Sequence, residues 1–305
     1  MNDSPAPIRS YRPTPLLEGA GVRLKRSFPT RALNFVDPFL LLDDFSSPDP
    51  EDFRKGFPWH PHRGIQTVTY LLAGAVEHRD SLGNAGRIAA GDAQWMTAGG
   101  GIMHEEMPDP EAGALIGFQL WVNLPAKDKM TAPAYGDILA KDIPVVTPGQ
   151  GATVRVLAGE AFGVRGPVYG LATQPTYLDV HLQGGTTFVH ALPAGRSALA
   201  YLFEGEAAFG HASAESHADT PGHASAEPHA PGHANASTLL TFENEPIVVR
   251  TSAREARYLW IAGRPLGEPV VRYGPMVMNT RKQIEEALRE LEAGTFVRGA
   301  PPGKR

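Results

Sequence analysis

Two short polar triplets carry the chemistry that this chain can do: His60-Pro61-His62 and His104-Glu105-Glu106. Each offers ligand-type side chains at i and i+2, a spacing that directs both to one face of an extended strand. If the two strands are neighbours, His60, His62, His104 and Glu106 meet at one point. Three imidazoles and a carboxylate suit Fe(II), Mn(II), Ni(II) or Cu(II) with open coordination positions, rather than a closed cysteine-rich zinc site. The expectation is a mononuclear metalloprotein. A lone H-x-H is weak, because a histidine is more often a surface or hydrogen-bonded core residue than a ligand. Here the context of both triplets strengthens it.

The first triplet runs into Thr67-Val68-Thr69-Tyr70-Leu71-Leu72, a β-branched stretch closed by Ala73-Gly74. The second follows Trp95-Met96-Thr97, the turn Gly99-Gly100-Gly101, and Ile102-Met103. Pro61 has no N–H, so it belongs at a strand start or an edge. Gly74–His78 and Gly86–Ile88 read as short strands, with turns at Asp80–Asn84 and Gly91-Asp92. Short strands between glycine turns indicate an antiparallel sandwich or barrel. Of the large side chains near the triplets (Phe57, Trp59, Trp95, Met103, Met107, Phe118, Trp121), most are expected to fill the barrel. Phe57 and Trp59 are the expected pocket walls.

Longer motifs surround these residues. Phe57-Pro58-Trp59-His60-Pro61-His62-Arg63-Gly64 resembles the first metal motif of the pirin family of cupins, and Trp95 to Met107 resembles the second. Asp37 to Phe45, Leu120 to Pro125 and Gly274 to Thr280 agree with it, so the resemblance spans about Val22 to Phe296 with one interruption. It implies an all-β bicupin: two antiparallel β-barrel (jelly-roll) domains with a C-terminal helix, the second barrel without metal. It places the ion on His60, His62, His104 and Glu106. One divalent transition metal is implied, Fe(II) first, with Mn, Ni, Cu, Co or Zn as alternatives. Gln66 stands where cupins in general carry a glutamate ligand; it should leave the site intact but alter hydrogen bonding around the ligands.

The expected division is a tail at 1–16, a metal-binding cupin domain at 17–130 and a second cupin domain at 131–305. In the second domain, Leu178, Val180 and Leu182 share one strand face and His181 the other, so His181 is expected outward; His190 lacks an i±2 partner. Gly210-His211 to Ala218 is nearly repeated from Gly222-His223 to Ala230, and a third copy begins at Gly232-His233. This histidine-rich insert, 210–237, lacks large apolar side chains and is expected as a disordered hairpin tip. Thr280 and Gln283 form a capping-box pattern ahead of the stripe Ile284, Ala287, Leu288 and Leu291, with Gly294 to end the helix.

Composition sets outer limits. The 305 residues allow two domains, and a net charge of −5 argues against a general nucleic-acid or acidic-membrane surface. Arg23, Lys25, Arg26 and Arg31 are expected on a solvated strand face. With no cysteine, no apolar leader and no apolar run long enough to span a bilayer, a cytoplasmic monomer is expected.

Two function classes stand. The resemblance implies a quercetin 2,3-dioxygenase-like enzyme, acting on a flavonol and O2, with Glu106 as both ligand and catalytic base. The alternative is a metal- or redox-sensing regulator that acts through a protein partner. An open mixed-ligand site favours the enzyme.

Overall fold

The computed structural model describes residues 8–211, 232–243 and 245–297, almost all antiparallel β-structure with one α-helix. The expected bicupin architecture is present as two compact units of jelly-roll-like sheets that stop short of closed barrels. One unit gathers Thr14–Asp142 and the segment from Leu266 onwards; the other gathers the segment before Thr14 and Ile143–Pro265.

This differs from the expected division at 130. Arg9–Tyr11 pairs with Thr238–Glu243, and Thr14–Glu18 pairs with Val22–Phe28, so most of residues 9–16 is strand rather than tail. The C-terminal segment likewise returns to the histidine-bearing unit. Three or five residues are too few to show a period, and the partner of Arg9–Tyr11 is remote in the chain.

In the histidine-bearing unit, seven strands form one sheet. Their spatial order is Ala134–Ile138, Ala93–Thr97, Ile65–Ala73, Ile116–Asn123, Phe39–Asp44, Val22–Phe28 and Thr14–Glu18. Four more form the opposing sheet: Phe57–His62, Ile102–Pro108, Ala75–Asp80 and Ala85–Ala89. Phe57–His62 lies at the edge of that sheet, which is why Pro61 is tolerated there. The turn at Asp80–Asn84 forms as expected: Asp80 Oδ1 accepts the backbone N–H of Leu82 at 2.8 Å and of Asn84 at 3.0 Å. Val22, Leu24, Phe45, Phe53 and Leu71 pack into a core beneath the sheets.

The helix runs Arg281–Glu292, with the reciprocal Thr280–Gln283 capping box and Gly294 at φ +68° behind it. Ile284 and Ala287 are buried among Met276, Met278 and Phe296. Among the described residues, no helix is long and apolar enough to cross a membrane.

The other unit is one nine-stranded sheet whose long strands Ser197–His211 and Ile247–Gly263 pair along most of their length. Of the expected histidine-rich loop, residues 212–231 lie outside the described residues. Its flanks are narrower than expected: His211 still belongs to a strand, and Gly232–Asn235 pairs with Glu206–Phe209. Backbone pairing needs no apolar side chain, so composition alone set the loop limits too wide.

Candidate metal centre

The two triplets do lie on neighbouring strands. Ile102–Pro108 runs antiparallel to Phe57–His62, with His104 opposite His60 and Ile102 opposite His62. Glycines beside each triplet let the C-terminal segment pack close to these strands. Gly64, two residues after His62, has φ +78°, and a Cβ there would meet the Val277 carbonyl oxygen at 2.0 Å. Gly101, just before Ile102, has φ +137°, and a Cβ there would meet the Phe296 oxygen at 2.5 Å. Arg63, between His62 and Gly64, is fully buried: its guanidinium donates to Glu290 at 2.5 Å and to the Phe296 carbonyl at 3.0 Å. Lys129 Nζ donates to the carbonyls of Gly64 and Val277, each at 2.9 Å, and to Asn123 Oδ1 at 2.7 Å. Burial lowers this ammonium to about 8.

The three imidazoles converge. Ring centroids are 4.4 Å apart for His60 and His104, 4.8 Å for His60 and His62, and 5.0 Å for His62 and His104. One nitrogen from each lies within 4.8 Å of the others. His60 Nδ1 is 3.0 Å from the Pro58 carbonyl and His62 Nδ1 is 3.3 Å from that of Pro275. A carbonyl accepts only, so both Nδ1 atoms carry the proton and both Nε2 atoms present lone pairs. Those Nε2 atoms face each other at 3.0 Å, two acceptors with no proton between them unless a ring is charged. Burial first, then the neighbouring rings, holds His62 and His104 well below the ordinary imidazole value, which keeps them neutral.

His104 makes the case sharper. It is wholly buried, and neither ring nitrogen has a hydrogen-bond partner among the described residues. Such a group costs about 1–3 kcal/mol when left unsatisfied. A cation at the focus of the three rings would satisfy all of these lone pairs, so the residues fit a metal ion.

Glu106 stands apart from the triad. Between His104 and Glu106 a bulge places an extra residue on the opposing strand, so Glu106 pairs with Phe57. The three-nitrogen group does not include its carboxylate. It lines the same cavity of about 540 Å³ as His60 and His62, and its Oε1 accepts from the Thr69 hydroxyl at 2.8 Å. Thr69 Oγ1 is also 2.6 Å from the Gln119 amide oxygen. One hydroxyl has one proton, so the consistent arrangement turns the Gln119 amide to donate to Thr69, which then donates to Glu106.

This contact belongs to a longer row. Asp137, Gln94, Thr69, Gln119, Asp43 and Arg26 are successive cross-strand partners over six strands of the large sheet. Arg26 closes the row on Asp43, at 2.8 and 2.6 Å, and on Glu18 at 2.8 Å. Arg26 is thus not on the solvated face expected of it: Arg23 and Lys25 point outward, and Arg26 alternates inward to line the cavity. Thr69, Gln119 and Arg26 carried no site signal on their own; their polarity on an inward register was the available clue.

The same alternation agrees with some of the other expectations and corrects the rest. Phe57 and Trp121 line the cavity, whereas Trp59, odd to the histidines' even, is 46% exposed. Gln66 falls on the face opposite Thr69 and donates to Thr97 Oγ1 at 2.9 Å, so its amide is engaged away from the cavity. In the other unit, His181 faces outward and meets Glu255 at 3.0 Å. His190 is buried, stacked on Trp260 at 3.9 Å and bonded to the Tyr258 hydroxyl at 2.8 Å.

Paired jelly rolls, one presenting a histidine triad beside a cavity, make this a bicupin with a site able to hold a metal ion. Its sequence narrows the class further. The pirin family model matches residues 21–122, and the pirin C-terminal cupin domain matches residues 177–297. The chain belongs to the pirin family. A Pseudomonas aeruginosa relative, provisionally named a quercetin 2,3-dioxygenase, is 41% identical over 92% of this chain and 94% of its own length. Human pirin is 39% identical over 89% of this chain and 87% of its own. Among solved structures, a quercetin 2,3-dioxygenase from Acinetobacter baumannii superposes with a TM-score of 0.80 at 32% identity, covering 96% of this chain and 97% of that one.

Proposed function

We propose that the protein is a mononuclear metal-dependent dioxygenase that opens the ring of flavonols such as quercetin, consuming O2 and releasing carbon monoxide. The observation that carries this reading is the histidine triad beside a roomy cavity that also holds Glu106. The names of the Pseudomonas and Acinetobacter relatives support the substrate class.

His60, His62 and His104 would hold the ion, with Glu106 as the fourth ligand and Fe(II) the first candidate. When bound, the ion supplies an electrophilic centre with open positions that makes a coordinating hydroxyl more acidic and places an oxidisable ring beside O2. The chain's own groups do the rest. Glu106 accepts the flavonol hydroxyl proton on the oxygen that Thr69 leaves free. Thr69, steadied by Gln119, fixes the carboxylate's orientation. Phe57, Leu41 and Trp121 provide apolar walls for a planar ring system and keep water from it.

The test is carbon monoxide production from quercetin by iron-loaded protein, scored against free iron, since free metal also bleaches the dye. No carbon monoxide above that control, together with capture of one specific protein from lysate, would replace the enzyme with the regulatory reading.

A further inference from the structure

The cavity contains more charge than flavonol binding at the triad requires. Arg26 is spoken for by Asp43 and Glu18, and Glu106 by Thr69. Arg272 is different. Its Nε donates to the Gly274 carbonyl at 2.9 Å, and its terminal nitrogens have no partner among the described residues. It forms no direct ion pair among those residues, although Asp43 and Glu18 are near enough to act on its charge. Its guanidinium is held in place all the same, 4.7 Å from the centre of the Trp121 ring. On its own side, Trp121 meets the His62 ring edge-on at 5.1 Å. One indole therefore joins the histidine triad to an uncommitted fork of N–H donors in the same cavity wall.

We propose that Arg272 is a specificity-determining residue that receives an anionic oxygen on an aromatic ligand whose other end approaches the histidines. This inference rests on the cavity being the substrate site. A guanidinium fork suits a carboxylate, a sulfonate or an ionised phenol, because its planar donors bind two oxygens or one strongly polarised one. Arg272 is exposed for part of its surface, yet partial desolvation and the nearby Arg26 still make the cation harder to keep charged, and Asp43 and Glu18 offset this only in part. A ligand anion would supply the missing counter-charge. The walls select for planarity, and Arg272 selects for charge.

The experiment measures dissociation constants by titration calorimetry on the metal-loaded full chain, with two ligand pairs. One is quercetin and its ring-sulfonated derivative; the other is 4-hydroxybenzamide and 4-hydroxybenzoate. In each pair the anion should bind about tenfold more tightly, the scale of one charge-assisted contact. Arg272→Gln should abolish that difference while leaving the neutral ligand within about twofold, and Arg272→Lys should restore part of it. Equal binding within the pairs, binding of neither pair, or a preference that survives Arg272→Gln overturns the inference. The benzoate pair contains no flavonol, so its discrimination stands even if carbon monoxide production fails, and the two readings fail separately.

Discussion

At the scale of residues, the triad is a consequence of period two. Each i, i+2 pair keeps to one strand face, which made the triplets legible, and the register that sets His104 opposite His60 brings the three histidines together. The same rule, applied one residue further, places Trp59 outward and Arg26 inward, against first expectation. Thr69 and Gln119 were not legible, since their importance lies in one hydrogen bond to a strand of the opposing sheet. Replacing His104 with Ala should remove most bound metal by elemental analysis, whereas replacing His181 with Ala should not. Equal metal content in the two would sink the ligand assignment. Glu106→Gln should keep much of the metal, because an amide oxygen still coordinates, yet lower turnover by roughly a hundredfold or more for want of a base. Thr69→Val separates orientation from basicity. It should retain metal and lose a smaller part of the rate, with a stability cost of about 1–3 kcal/mol for the bond it deletes.

At the scale of elements, the C-terminal helix was read correctly as a helix, but its link to the site was not read. Its stripe and capping box followed from spacing alone. What spacing does not reveal is that Glu290, on the same helix, reaches the buried Arg63 next to His62, one of the proposed ligands. Two substitutions divide these roles. Thr280→Ala removes the cap and should cost about 1 kcal/mol, a melting shift of roughly 2–4 °C, with metal content unchanged. Glu290→Gln leaves Arg63 charged and buried with one carboxylate fewer, a loss of about 3–5 kcal/mol if the site cannot rehydrate. It should also loosen metal retention, because Arg63 and His62 share a backbone. Wild-type metal affinity in Glu290→Gln would confine the helix to a structural part. The glycines make the complementary point: Gly101 was visible as a turn residue and Gly64 only as the end of a motif, and the carbonyls that crowd them come from residues 277 and 296.

At the scale of the whole molecule, the sequence pattern was enough for two β units because strands and turns repeat through the chain, but chain order misled about membership. The histidine-bearing unit takes its closing segment from beyond Leu266, and the other takes a strand from Arg9–Tyr11. Segments that complete a sheet edge are chosen by backbone pairing, which leaves little trace in side-chain type. The histidine-rich insert bears on the same question. Phe209 pairs with Gly232, so the strands that bracket residues 212–231 are already in register. Replacing 212–231 with Asn-Gly leaves four residues between that pair, a length that hairpins accommodate. The deleted stretch contains no large apolar side chain, and shortening a connection changes closure entropy only slightly. The shortened protein should therefore melt within a few degrees of the full chain and bind the same amount of tightly held metal. Its weak, low-affinity metal uptake should fall, because His217, His223 and His229 leave with the insert. A large drop in melting temperature, or loss of the tightly held ion, would show instead that the insert supports the fold or feeds the centre.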